Sequence, residues 1–125
     1  MKIKKAGEAE KSLKDTGGFQ GMTANWIWTA DDGMPNYAMR LMEFLPEGRT
    51  SYHSHLEEHE FYILEGEAAV INAAGEETRL YPGDALYCGP SEPHQLRNAG
   101  SSMMRLICTI PILPGGDGKA TTSAA

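Results

Sequence analysis

Four histidines carry most of the chemistry this chain of 125 residues can offer, and they are all the histidines it has. His53, His55 and His59 fall in one short stretch, and His94 stands apart. A neutral imidazole presents one lone pair suited to Zn, Cu, Fe and Ni, and an ion held by several of them becomes the strongest local charge. On extended backbone, side chains alternate between faces, so His53 and His55 point the same way with Ser54 opposite. Leu56-Glu57-Glu58 can turn the chain, after which His59 opens the strand Glu60 to Leu64, and a hairpin would set His59 across from the pair. His94 follows the loop Pro90-Ser91-Glu92-Pro93 and begins Gln95-Leu96-Arg97, so in a barrel it can supply a fourth inward ligand on the same rim. One divalent transition metal held by His53, His55, His59 and His94 is the expected cofactor. The bland alternative is four surface histidines clustered by chance; that every histidine of the chain fits one site argues against it.

The elements that must position these rings read as strands. Trp26-Ile27-Trp28 ends at Asp31-Asp32-Gly33, Tyr37 to Leu45 at Pro46-Glu47-Gly48, His59 to Leu64 at Glu65-Gly66, and Ala68 to Asn72 near Gly75. Thr78 to Tyr81 ends at Pro82-Gly83-Asp84, Ala85 to Cys88 at Gly89-Pro90, and Met103 to Ile110 at Pro111. Short strands with regular punctuation and no long 3.6-residue periodicity predict an all-β sandwich or barrel. Residues 1–20 form a charged arm with at most one strand, near Met1 to Lys5, and residues 21–113 form the barrel. Residues 114–125, rich in Gly, Ser, Thr and Ala, have too little apolar matter to pack and read as a frayed tail.

Size and composition exclude several classes. The length suits one domain with one core. A net charge of −6, from 17 acidic and 11 basic residues, argues against a nucleic-acid partner. Five lysines precede residue 15, but Glu8, Glu10 and Asp15 interrupt them. Apolar runs fall short of the ~20 residues a membrane span needs, and no secretory h-region is visible, so a cytoplasmic protein is expected. Cys88 and Cys108 sit in apolar runs and are expected as buried thiols rather than a disulfide.

His55-Leu-Glu-Glu58-His59 also matches H-x-x-E-H, in which two histidines on one face of a helix bind zinc in a protease. Here Phe61-Tyr62-Ile63-Leu64 follows and Thr50-Ser51-Tyr52 precedes, both favouring extended backbone. That reading would also leave His53 and His94 without a role.

Taken together, the two segments resemble the cupins, whose motifs read G-x5-H-x-H-x3,4-E-x6-G and G-x5-P-x-G-x2-H-x3-N. Gly48 to Gly66 follows the first, with four residues before His53; Gly83 to Asn98 follows the second and keeps its ending from His94 to Asn98, while Gly89 and Glu92 depart from its middle. The slot of the usual glutamate ligand holds His59, and Glu60 satisfies only the looser spacing from His55. His59 is therefore favoured as the ligand over Glu60. The wider pattern from Met34 to Pro111 is similar to the small four-histidine monocupins. That resemblance implies a double-stranded β-helix (jelly roll), manganese as the preferred ion with Fe, Ni, Zn or Cu as the other candidates, a homodimer, and oxygenase-like reactivity. The amino-terminal arm would then be able to place a strand at the dimer interface.

Four imidazoles on an octahedral ion leave two positions for water, dioxygen or a chelating small-molecule substrate. Lacking the carboxylate, the site keeps the full +2 charge of a divalent ion and should attract anionic or enolate-like oxygens. No histidine remains as a general base outside the metal shell. Arg40 and Glu43, three apart, face opposite sides of their strand. Arg40 inside would clamp a carboxylate; outside, it would lie along the sheet. Cys108 shares a face with Met104, Leu106 and Ile110 and is a candidate pocket residue, with core packing the alternative. Trp26 and Trp28 read as core or as an aromatic dimer surface, and Glu57, Glu58 and Glu60 as a rim able to orient ligating imidazoles. The leading expectation is an oxygenase or oxidoreductase acting on a small anionic or enolisable molecule. Its rivals are a non-catalytic metal- or ligand-binding module, and an isomerase or lyase using the ion as a Lewis acid without oxygen.

Overall fold

Alternation of inward and outward side chains builds this molecule, and it is clearest in the long strand β3 (Tyr37–Arg49), where Ala38, Arg40, Met42 and Phe44 are buried in turn. The computed structural model describes residues 1–119 and the backbone of residues 123–124. Within them, β1 (Glu10–Lys14) and β2 (Gln20–Trp28) precede β3, and β4 (His53–Ser54), β5 (His59–Glu65), β6 (Ala68–Ile71) and β7 (Glu77–Leu80) follow it. β8 (Ala85–Cys88), β9 (Gln95–Asn98), β10 (Met104–Pro111) and β11 (Ser123–Ala124) complete the order. One 3-10 turn, Ala30–Asp32, is capped by Thr29.

The main sheet runs β7-β6-β9-β3-β10-β5-β8, with β2 on β3 and β1 on β2, all antiparallel. It curls into a nearly closed jelly-roll barrel, the all-β single domain expected. Register sorts the interior. Phe44 pairs with Met104, Met42 with Leu106 and Leu106 with Ile63, which makes an apolar floor. The next row holds Arg40, Cys108 and Phe61, and His59 pairs with Cys88. The inward face thus passes from apolar to polar within a few residues of the same strands.

Two polar clamps join β9 to its neighbours. Asn98 donates through Nδ2 to Phe44 O at 3.0 Å and Ser102 O at 2.8 Å, and its Oδ1 accepts from Gly100 N–H at 2.9 Å. Leu96 N–H donates to Thr50 Oγ1 at 3.1 Å, which ties β9 to the segment leading into β4. Gly66 has φ of +84°, and a Cβ there would stand 2.7 Å from Met103 O. Only glycine meets both conditions, which explains the residue that closes the first histidine motif.

Several sequence expectations need correction. No strand forms over Met1 to Lys5; the arm's strand is β1, paired with β2 from Glu10↔Trp26 to Lys14↔Met22. A local hairpin through Gly17 and Gly18, both at positive φ, puts Leu13 and its neighbours beside a strand already in the sheet. Lys4 instead anchors the first residues by donating to Ile27 O and Asp32 Oδ1. β2 begins at Gln20 rather than Trp26, because its polar residues are satisfied by pairing and by Asn25 donating to Leu41 O. β3 continues past Leu45 to Arg49, since Pro46-Glu47-Gly48 forms an irregularity opposite Gly21 rather than a terminus.

The tail expectation covered residues 114–125. Of these, 114–119 return to the barrel: Ala30 N–H donates to Asp117 O at 3.1 Å, and Gly118 is buried against Ala38 and Ile112. The backbone of β11 pairs with β4. Residues 120–122 and 125 lie outside the described residues.

Candidate metal centre

The four imidazoles converge on one end of the barrel interior, all buried, at 6%, 4%, 3% and 3% exposure for His53, His55, His59 and His94. They arrive differently from the hairpin expected. Among the described residues β4 and β5 form no ladder; His53 bridges His94, with His53 N–H to His94 O at 3.0 Å and His94 N–H to His53 O at 2.9 Å. His59 enters from β5, which is held between β10 and β8. No helix spans His55 to His59, so the protease-type motif lacks the helix it needs. His55 and His59 nevertheless meet, with ring centroids 4.5 Å apart.

Three of the rings are locked by backbone carbonyls. His53 Nδ1–H donates to Ser51 O at 2.8 Å, His55 Nδ1–H to Glu57 O at 2.7 Å, and His94 Nδ1–H to Glu92 O at 2.7 Å. Each bond commits the proton to Nδ1 and leaves a lone pair on Nε2, the arrangement that fixes ligating imidazoles in metal sites. In each case the acceptor lies two residues from its histidine, so the lock is local to the motif. Phe19 stacks on His53, with centroids 5.7 Å apart.

His59 is held in another way. Its Nε2 lies 3.0 Å from His94 Nε2, and its Nδ1 lies 3.6 Å from Cys108 Sγ. Two nitrogens each about 2.1 Å from one ion, at this spacing, subtend about 90° at it, an octahedral rather than a tetrahedral angle. With an ion on Nε2, the Nδ1 proton of His59 points at the Cys108 sulfur. Donor atoms of His53, His55 and His94 lie within 4.8 Å of one another, as do those of His59, Cys88 and His94. His94 is common to both groups. The nitrogens of His53, His55 and His94 are close enough together to hold a transition-metal ion, and His59 stands beside His94 at the edge of that trio.

Burial lowers the proton affinity of all four rings, and neighbouring imidazoles add to it at His53, His55 and His59. His53 is pushed down to about 4, chiefly by burial and then by His94 and His55. His55, His59 and His94 are lowered with burial as the first cause. Neutral rings at pH 7 are the ligating form. Cys88, the donor that sequence reasoning treated only as a buried thiol, is pushed up to about 12 by burial and then by Glu92. It stays protonated at neutral pH without a metal. Its place beside His59 follows from the β5–β8 register, which no local motif reveals.

The depressed histidine values carry a stability consequence with a definite sign. A ring that resists protonation when folded favours the folded state above its unfolded value near 6.5, and that advantage is lost as pH falls toward the folded value. Metal-stripped protein is thus expected to lose thermal stability between about pH 6.5 and 4, the window set by His53. Melting curves across this range check it; a flat profile would show that the rings are solvated.

Arg40 is inside the barrel, only 8% exposed, which settles its open orientation. Its Nη2 donates to Cys108 Sγ at 3.0 Å. Cys108 is fully buried, and both cysteines are free thiols. Glu43 faces outward to Arg105 at 3.2 Å and accepts from Asn25. Glu60 is exposed on the opposite face of β5 from His59, and Glu58 accepts from Tyr87 at the surface. Trp26 is buried beside Arg40, and Trp28 lies under Lys4, across an irregularity in the β2–β3 register. Together the histidines, Arg40, Trp26, Phe61 and Lys119 line a cavity of about 90 Å³.

A family model described as "Cupin domain" matches residues 40–110. An uncharacterised protein of Methanocaldococcus jannaschii is 31% identical over 61 residues, 48% of each chain, so this chain spans about half the length of that curated relative. Among solved structures, the polyketide cyclase RemF of Streptomyces resistomycificus superposes with a TM-score of 0.85 at 22% identity, covering 100% of this chain and 85% of that one. A predicted oxalate decarboxylase of Thermotoga maritima gives 0.78 at 19%, over 90% and 100% of the two chains. An ectoine synthase from P. lautus gives 0.70 at 22%, over 89% and 78%. At these identities the structural likeness speaks to fold alone. No helix is long and apolar enough to cross a membrane among the described residues.

Proposed function

Because this chain belongs to the cupin domain family, we propose that His53, His55, His59 and His94 hold one divalent transition ion at which a small anionic or enolisable organic molecule is turned over. The observation that carries the reading is the set of three Nδ1–H to carbonyl bonds, which aims the Nε2 lone pairs of His53, His55 and His94 inward, with His59 Nε2 beside them. When bound, the ion supplies Lewis-acid chemistry and, if redox-active, electron transfer. Manganese is our preferred ion, with Fe, Ni, Zn or Cu as the other candidates for a nitrogen-rich donor set.

The protein's own residues do the remaining work. The locked rings keep their geometry without reorganising, and burial keeps them unprotonated. Trp26, Phe61 and Phe19 exclude water around the cavity. Oxygenase-type oxidoreduction is the leading activity. Anaerobic reconstitution with Mn(II) or Fe(II), then oxygen-electrode assays with diketones, 2-hydroxy acids and phenols, tests it; metal-dependent oxygen uptake is expected. An oxygen-independent Lewis-acid reaction is the second reading, favoured by structural neighbours named as a cyclase, a sugar phosphate isomerase and a predicted decarboxylase. Turnover that persists under argon with Zn(II) selects it. Ligand-dependent melting shifts without turnover under either condition select a binding module instead. The same reading carries a cytoplasmic homodimer; the exposed Tyr62, Leu64 and Tyr87 on the outer faces of β5 and β8 support the dimer, which light scattering checks.

A further inference from the structure

Resting on the metal-centre reading above, we infer that Arg40 is the anion-binding residue of this site, and that the ligand is a small carboxylate bearing a second oxygen on the adjacent carbon, a 2-hydroxy or 2-oxo acid. Arg40 is a buried cation without a counter-charge: among the described residues no carboxylate pairs with it, and its Nε has no hydrogen-bond partner. Arg79, Arg97, Arg105, Lys4 and Lys119 each pair with an Asp or Glu. In a chain with 17 acidic residues, this buried cation is left without a carboxylate partner among the described residues. Its partners are a sulfur, Cys108 Sγ, and the Trp26 indole, with the guanidinium carbon 5.7 Å from the ring centre. Neither neutralises it.

Lys14 Nζ adds to the positive potential: it stands over the same indole at 5.8 Å and lines the cavity that holds the histidines. Lys119 Nζ, 5.1 Å from the ring centre, also lines the cavity but is paired with Asp31. A second cation on four neutral nitrogens raises the positive charge of this pocket further. An anion spanning the two relieves both, and the planar fork of a guanidinium matches a carboxylate. With four imidazoles on a six-coordinate ion, two positions remain for a chelating ligand, which calls for the second oxygen. The cavity of about 90 Å³ is small, which favours a small carboxylate over a bulky one.

Calorimetric titration of glycolate and of neutral glycolamide into Mn(II)-loaded wild type, Arg40→Met and Arg40→Lys tests the assignment, with Mn(II) affinity of each protein measured separately by EPR. Glycolate is expected to bind wild type at least about tenfold more tightly than glycolamide. Arg40→Met is expected to lose about 10- to 100-fold in glycolate affinity while its Mn(II) affinity in glycolate-free buffer holds or rises. Arg40→Lys falls between and carries the test should Arg40→Met not fold. No glycolate binding by loaded wild type, equal binding of the two probes, or glycolate affinity unchanged in the variants overturns the Arg40 assignment and leaves the metal centre standing. Failure of wild type to take up Mn(II) overturns the metal-centre reading itself, and the assignment with it.

Discussion

His59→Gln is expected to lower Mn(II) affinity by on the order of a thousandfold, and Glu60→Gln to leave it within about threefold. The two residues are neighbours in sequence, and both were candidates for the slot that is usually a glutamate. Strand geometry separates them: β5 alternates buried and exposed from its first residue, so His59 is 3% exposed and Glu60 lies on the outer face. His59 Nε2 is 3.0 Å from His94 Nε2, whereas the Glu60 carboxylate is on the other face of the sheet. Altering an outer partner of a ligating histidine costs about 10- to 100-fold in affinity, and losing the ligand itself costs more. Glutamine retains polar atoms near the vacated position, and far-ultraviolet circular dichroism of each variant checks that the barrel persists. EPR-detected Mn(II) titration reads the affinities. A larger loss in Glu60→Gln than in His59→Gln would sink the four-histidine assignment.

Phe44→Ala is expected to destabilise the protein by about 3–5 kcal/mol, a fall in Tm of about 10–20 °C. Phe44 is wholly buried in β3, between Met104 of β10 and Met22 of β2 in the sheet register. Its carbonyl accepts from Asn98, so this position joins the strands that frame the apolar floor to the one that follows His94. Truncation leaves a cavity that flanking strands, each paired on both sides, cannot collapse to fill. Differential scanning calorimetry of metal-free protein measures the loss. Added Mn(II) should recover part of it if the ion binds only the folded state. A Tm within a few degrees of wild type would mean that the floor of the barrel is loosely packed.

Much of the candidate centre was legible in the chain. His53 and His55 share a face because they are two apart, and Gly48 and Gly66 bracket them for a steric reason that the structure makes explicit: a Cβ at either would meet backbone at 2.7 Å. Arg40 was half legible. Its strand is apolar on both faces, so periodicity did not say which way the guanidinium points, and only its register beside Cys108 did. The arm was misplaced for a related reason: β1 is too polar for a periodic signal and forms because β2 offers it an edge.

Composition, punctuation and histidine spacing were enough to determine an all-β barrel with one ligand-rich rim, because those features act over two to seven residues of backbone. Long-range pairing decided the rest: His94 beside His53, Cys88 beside His59, and a guanidinium left without a counter-charge next to them. Such contacts join residues tens of positions apart, where the chain's local preferences carry no information and only closure of the sheet selects the partner.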